Sequence, residues 1–173
     1  FFKFYKEKLN SLKYEPNITH FKLAELEKKG KIKAIITQNI DGLHQKAGSQ
    51  NVLELHGSVL RNYCMKCGKF YNAECVFGSK GVPRCTCGGV IKPDVVLYEE
   101  ALNDEILSKS ISAIRNADLM IVAGTSLTVY PASGLINFYN GSKLIVINRE
   151  KTQYNRKGSL VINESLGKIF KEI

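Results

Sequence analysis

Four short apolar runs constrain this chain more than any other feature: Lys33–Ile36, Leu119–Ala123, Lys143–Asn148 and Leu160–Ile162, each rich in Ile, Val or Leu. Runs of this length and composition are expected of strands buried on both faces. Stretches with helical signals alternate with them. Phe1 to Leu12 carries Phe1, Phe4, Tyr5, Leu9 and Leu12 near 3.6 spacing, and Pro16-Asn17 breaks it. A second helix is predicted from Thr19, burying Phe21, Leu23, Ala24 and Leu26 and stopping at Gly30. Asn103 can cap a helix that has Asp104 and Glu105 in its first turn and carries Ile106, Leu107, Ile111 and Ile114. Pro131 suits the first position of another helix, ended by Gly141, and Leu166, Ile169 and Phe170 mark a closing one. Strand and helix in this order predict an α/β fold: a parallel sheet with helices on both faces.

The alternation lapses between Tyr63 and Tyr98 into Gly, Cys, Lys and Pro. We therefore divide the chain into a main domain over residues 1–62 and 99–173 and a small insert over 63–98. Four of the five cysteines lie there in two close pairs, Cys64-x-x-Cys67 and Cys85-x-Cys87. A C-x-x-C turn converges two thiolates on one tetrahedral ion, and a second pair completes a four-cysteine zinc site. With every position filled by cysteine, no place is left for water, so such a zinc is structural. Two alternatives stand beside this at the level of sequence. Cys75 could replace Cys85 or Cys87, although Ala73-Glu74-Cys75-Val76-Phe77 looks more like a buried small hydrophobe, and the thiols could form a redox pair.

At 173 residues with 44% hydrophobic content, the chain fits one domain with a substantial core and a small insert. No apolar run approaches the ~20 residues that span a bilayer, and no cleavable signal is visible. Reduced cysteine pairs suit a cytoplasmic protein. The net charge is 25 − 16 = +9. Much of it sits in Lys28, Lys29, Lys31 and Lys33 near a helix end, where cations favour the helix dipole. No aromatic-interleaved basic stripe is present, so nucleic acid is not expected as a primary partner.

The polar residues that follow the first strand carry the chemistry: Thr37-Gln38-Asn39-Ile40-Asp41-Gly42-Leu43-His44, then Leu55-His56-Gly57-Ser58. They leave the carboxyl end of a strand, where open α/β sheets bind ligands. Carboxamides, a carboxylate and a histidine placed there can hold a ribose and an amide-bearing ring. Asp41-Gly42 alone would equally suit an Asx turn. Taken together and in this order, TQNIDGLH, HG, the paired cysteines, Lys92-Pro93-Asp94-Val95-Val96 and Gly124-Thr125-Ser126-Leu127 resemble the sirtuin family of NAD-dependent protein-lysine deacylases, in its bacterial form. The resemblance runs over essentially the whole chain.

That resemblance implies a Rossmann-like domain with a zinc-ribbon insert, NAD as co-substrate, one structural zinc per chain, and acylated-lysine proteins or peptides as partners, with no membrane. It implies that nicotinamide leaves NAD as the acyl oxygen of the modified lysine attacks the ribose, and that a histidine then deprotonates a ribose hydroxyl. The products are nicotinamide, free lysine and O-acyl-ADP-ribose. His56 matches the family's histidine; histidine is the residue type that changes charge near neutral pH without large perturbation. Asn39 and Asp41 match the nicotinamide pocket, with Gln38 at the ribose and Ile40 as an apolar wall. Gly124, Thr125 and Ser126 match cofactor contacts, helped by strand-end amides and hydroxyls, and Asn148 matches a position near the adenosine ribose. Glu150 and Ser165-Leu166 are weaker candidates there. Val95, Val96, Leu97 and Tyr98 match the segment that pairs as a strand with the substrate peptide, a mode that reads backbone more than sequence. His20 and His44 are read as structural.

Two departures from the family stand out. Glu99-Glu100 occupies a place where sirtuins usually have Gly before the glutamate. No G-x-G turn occurs anywhere, although the family begins with a glycine-rich one that cradles the pyrophosphate. The natural protein is therefore expected to carry a further strand–helix unit before Phe1, about 30 residues or more. The rival readings are a non-catalytic ADP-ribose or protein-binding module, and an enzyme that transfers ADP-ribose to protein.

Overall fold

The apolar runs become strands where the sequence places them. The structure, a computed structural model, describes residues 1–126, 128, 130–151 and 158–173. In chain order the elements are α1 (Phe2–Lys8), a 3-10 turn (Ser11–Lys13), α2 (Ile18–Lys28), β1 (Ile35–Thr37), α3 (Leu43–Lys46), β2 (Val52–Glu54), β3 (Gly57–Cys64), β4 (Phe70–Asn72), α4 (Ala73–Phe77), β5 (Ile91–Val95), α5 (Asp104–Arg115), β6 (Leu119–Ala123), a 3-10 helix (Ala132–Phe138), β7 (Lys143–Ile147), β8 (Leu160–Ile162) and α6 (Leu166–Lys171).

The parallel pairing expected from the alternation is present, but in two sheets. β1 pairs with β2, and β6, β7 and β8 run side by side, all parallel. Between them in the chain lies an antiparallel sheet in the order β4-β3-β5, which carries the cysteine module. Its core joins Val59, Ile91 and Val95 to Cys64, Cys85 and Val76. The ring of Tyr5 on α1 stacks on Phe77 with centroids 5.3 Å apart, so the first helix docks on the insert. A second cluster gathers Leu55, Leu102, Ile114 and Leu135 beneath α5, and a third gathers Val122, Ile136, Leu144 and Val146 along β6 and β7.

Several local expectations are corrected by packing. The first helix stops at Lys8, and Leu12 belongs to a separate 3-10 turn whose cap is the Asn10 side chain. α2 begins one residue earlier than expected, at Ile18. The Asn17 side chain accepts from the Thr19 and His20 amides, and the His20 ring accepts from the Asn17 amide. It buries Thr19 and His20, leaving Phe21 exposed, because α2 turns its polar first turn inward. β6 buries only Val122 fully, and Leu119 and Ile121 are exposed. The segment after Pro131 is a 3-10 helix in which proline is the cap. The helix capped by Asn103 forms as read, with Asn103 Oδ1 accepting from the Ile106 amide at 3.0 Å. No helix among the described residues is long and apolar enough to cross a membrane.

Candidate active site and metal centre

The polar loop after β1 is pinned by its own side chains and by β3. Thr37 Oγ1 accepts from the Asn39 amide at 3.1 Å, and Asp41 Oδ1 accepts from the Leu43 amide at 2.9 Å, which starts α3. Asp41 thus forms the Asx turn through one carboxylate oxygen. The Ile40 carbonyl accepts from the Val59 amide at 2.9 Å, and the Ile40 side chain packs on the insert core as a half-buried wall. Asn39 is exposed beside it.

His56 lies between β2 and β3, and its Nδ1 is 3.0 Å from the carbonyl oxygen of Gln38. A carbonyl only accepts, so Nδ1 carries the proton, and in the neutral ring Nε2 holds the lone pair. The residue after it is glycine for a steric reason. Gly57 has φ 74°, and a Cβ there would collide with the Asp94 carbonyl on β5, with the Asp94 carbon only 2.9 Å away. The Val96 amide donates to the His56 carbonyl at 3.1 Å, which ties the histidine to the start of the segment Val96–Tyr98.

The same loop reaches the other parallel sheet. Gln38 Nε2 donates to Thr125 Oγ1 at 3.4 Å, and Asn148 Nδ2 reaches the Thr125 carbonyl at 3.5 Å. The Asn148 amide donates to Ile162 O, so hydrogen bonds link residues at the carboxyl ends of β1, β6, β7 and β8. Gly124 turns out of β6 with φ 64°, and its Cα faces the Leu166 side chain, which brings Ser165-Leu166 beside the turn. Ser126 Oγ is 2.8 Å from Thr128 Oγ1. Leu127, the last residue of that motif, lies outside the described residues. Glu150 is exposed beyond the end of β7. Carboxamides, hydroxyls and a carboxylate at these strand ends fit a ligand carrying riboses, a carboxamide and phosphates.

Of the segment expected to bind the peptide, Val95 ends β5 and is buried, Val96 is half-buried, and Leu97 and Tyr98 are exposed. Glu100 is the anchor: its Oε2 accepts from the Leu97 amide at 2.9 Å and from Lys92 Nζ at 3.1 Å. The Leu97 amide chiefly, helped by Lys92, holds the Glu100 carboxyl below the usual range. Glu99 has φ 71°, the one non-glycine residue among those described that takes a left-handed backbone. The chain thus adopts a glycine-type conformation at the position where the family's glycine is replaced. His20 and His44 face each other with ring centroids 4.7 Å apart, and burial pushes both below the usual histidine range.

The four paired cysteines meet as a cluster in which every sulfur lies within 4.8 Å of the others. Cys64–Cys87 and Cys67–Cys87 are 3.5 Å apart and Cys67–Cys85 is 3.6 Å. A tetrahedron with Zn–S bonds of about 2.3 Å has edges of about 3.8 Å, so the sulfurs fit zinc and are too far apart for disulfides. Backbone amides are aimed at them. That of Cys87 draws the Cys85 thiol down to about 5, and those of Cys67 and Lys66 lower Cys64. Gly89 admits the pair because a Cβ there would lie 2.6 Å from Cys64 Sγ. Cys75, the middle residue of α4, is exposed rather than the buried small hydrophobe its neighbours suggested, and it is not a member of the cluster.

Residues 1–131 match the family model described as the Sir2 family. A Clostridium perfringens protein named NAD-dependent protein deacetylase is 58% identical over the whole of this chain and 72% of its own length. A Clostridium acetobutylicum protein of the same name is 55% identical over the whole chain and 71% of its length. Among solved structures, a Sir2 complex with a p53 peptide and NAD+ superposes with a TM-score of 0.93 at 41% identity, covering 99% of this chain and 75% of that one. A Sir2 structure with an inhibitor, 2'-O-acetyl-ADP-ribose and deacetylated p53 peptide gives 0.92 at 41% identity, over 99% and 76%.

Proposed function

The chain belongs to the Sir2 family, and on that premise we propose that it is an NAD-dependent protein-lysine deacetylase. The observation that carries the reading is the join of His56, Gln38 and Thr125, which links a histidine that keeps its Nε2 lone pair to the polar groups at the strand ends.

NAD supplies the ADP-ribosyl group that accepts the acyl oxygen as nicotinamide departs. Asp41 Oδ2 and the Asn39 carboxamide receive the nicotinamide amide and order the ribose, with Ile40 against the ring. Gln38 reaches the ribose, Gly124, Thr125 and Ser126 the phosphates, and Asn148 the adenosine ribose. His56 Nε2 takes the proton from the ribose hydroxyl, and the Nδ1–H bond to Gln38 supports the ring as it becomes cationic. The acyl-lysine peptide adds as a strand along Val95, Val96, Leu97 and Tyr98. Zinc at Cys64, Cys67, Cys85 and Cys87 would supply no chemistry; it would hold the β4-β3-β5 sheet, whose strand β5 leads into the peptide segment. Thiolate ligands persist where thiols stay reduced, which supports a cytoplasmic location.

Incubating the zinc-loaded protein with NAD and an acetyl-lysine peptide should release nicotinamide and O-acetyl-ADP-ribose, resolved by mass. His56→Ala should lower deacetylation by about 10²–10⁴-fold, the usual contribution of a general base. Binding of NAD should largely survive. Transfer of ADP-ribose to protein, or binding without turnover, would replace the proposal with one of its rivals.

A further inference from the structure

Arg61 stands outside every motif above, yet it is the charged side chain that joins the strands around His56. Its Nη1 donates to Glu54 Oε2 at 2.6 Å and its Nε donates to Asp94 Oδ2 at 2.9 Å. Glu54 closes β2, Asp94 lies on β5, and Arg61 emerges from an irregularity in β3 between Ser58 and Asn62. Bulges of this kind re-aim a side chain, and they concentrate next to active sites. Asn62, fully buried, fixes the irregularity by donating from Nδ2 to the Val59 carbonyl at 3.2 Å.

Glu54 is 8% exposed, and its second oxygen accepts from Gln45 Nε2 at 2.8 Å. A buried carboxylate with both oxygens engaged is held in one orientation, unlike an exposed pair that contributes little. His56 follows Glu54 by two residues. Asp94 supplies the carbonyl against which Gly57 packs, and β5 continues into Val96, whose amide holds the His56 carbonyl. Both acids that Arg61 grips therefore lie within two residues of the atoms that fix the His56 backbone. The grip uses two nitrogens of a planar fork at fixed separation, which a lysine ammonium cannot reproduce.

We propose that Arg61 is a positioning residue for deacylation, holding His56 in register with the acyl-lysine strand by clamping Glu54 and Asp94. The proposal rests on the deacetylase reading above. Loss of nicotinamide needs no base, whereas the later step needs His56 Nε2 at the ribose hydroxyl. Misplacing a catalytic group by a fraction of an ångström lowers the rate steeply. Removal of the clamp should therefore slow deacetylation more than exchange of labelled nicotinamide into NAD.

The test uses full-length, zinc-loaded protein as wild type, Arg61→Met, Arg61→Lys and the double variant Arg61→Met/Glu54→Gln. Peptide kcat and KM, nicotinamide exchange and thermal melting are measured on each. For Arg61→Met we expect deacetylation kcat to fall by about 10–100-fold, in line with a displaced catalytic group, while exchange falls much less and peptide KM stays close to wild type. Arg61→Lys should recover part of the loss. The double variant removes the buried unpaired carboxylate, so it should melt near wild type and still show the lowered ratio of deacetylation to exchange. A wild-type ratio in the double variant, or parallel losses of both activities that follow the melting temperature, would overturn the clamp while leaving the deacetylase reading intact. Wild-type protein with neither activity would overturn the reading and the clamp together.

Discussion

Gly57→Ala tests how His56 is held. Gly57 has φ 74°, and an added Cβ would enter the Asp94 carbonyl. Forcing an L-residue into the left-handed region costs about 1–2 kcal/mol. Overpacking against backbone that cannot rotate away adds about 1–3 kcal/mol. Relief by parting β3 from β5 sacrifices the Val96–His56 hydrogen bond, worth about 1 kcal/mol. The loss of stability should therefore be about 3–6 kcal/mol, a melting shift of roughly 6–24 °C for a chain of this size. Gly30→Ala is the internal control. Its φ is 70°, and a Cβ there meets nothing within 4 Å. It meets the backbone term alone, about 1–2 kcal/mol, so it should melt roughly 2–8 °C below wild type. Circular dichroism melts of zinc-loaded protein give the first readout and peptide deacetylation the second. We expect Gly30→Ala to keep near-normal turnover and Gly57→Ala to lose about 100-fold through displacement of His56. If the two variants melt together, or if Gly57→Ala turns over normally, the close approach of β5 does not hold the histidine and the reasoning fails.

Three further outcomes follow from particular groups. Zinc should bind at one ion per chain and remain at one in Cys75→Ser, since Cys75 is exposed and outside the cluster; strong chelation should unfold the insert and abolish activity, and metal analysis of the variant decides the ligand set. Glu99→Gly should raise stability by about 1 kcal/mol by relieving its left-handed backbone, read as a melting rise of roughly 2–4 °C; an unchanged or lower melting temperature would show that Glu99 is not strained. His20 and His44 have pKa values lowered in the folded state, mainly by burial. The unfolded chain thus binds more protons, and stability should be full above the ordinary histidine pKa of about 6.5 and fall as pH drops below it. His44→Gln should flatten the difference between melts at pH 7.5 and 5.5, and an undiminished difference would place the acid sensitivity elsewhere.

The sequence by itself determined the elements whose signals are local. Asn103 caps α5 through a bond to a residue three positions on, and Gly30 ends the turn after α2 with a positive φ. The two cysteine pairs specify a metal module because each pair is brought together by its own tight turn. The strand-end positions of Gln38, Thr125 and Asn148 were legible from where short apolar runs stop, because an α/β sheet presents its ligands there. What only the tertiary structure decided involves partners far apart in the chain. Gln38 meets Thr125 across 87 positions, and Arg61 meets Asp94 across 33. The face of α2 could not be read from its spacing of apolar residues, because capping and packing turned Thr19 and His20 inward. The glycine after His56 is legible as a motif, but its cause, a carbonyl on a strand more than thirty residues later in the chain, exists only once β3 and β5 pair. Local periodicity specifies which segments become strands and helices; register, burial face and the orientation of His56 depend on close contacts that sequence spacing does not encode.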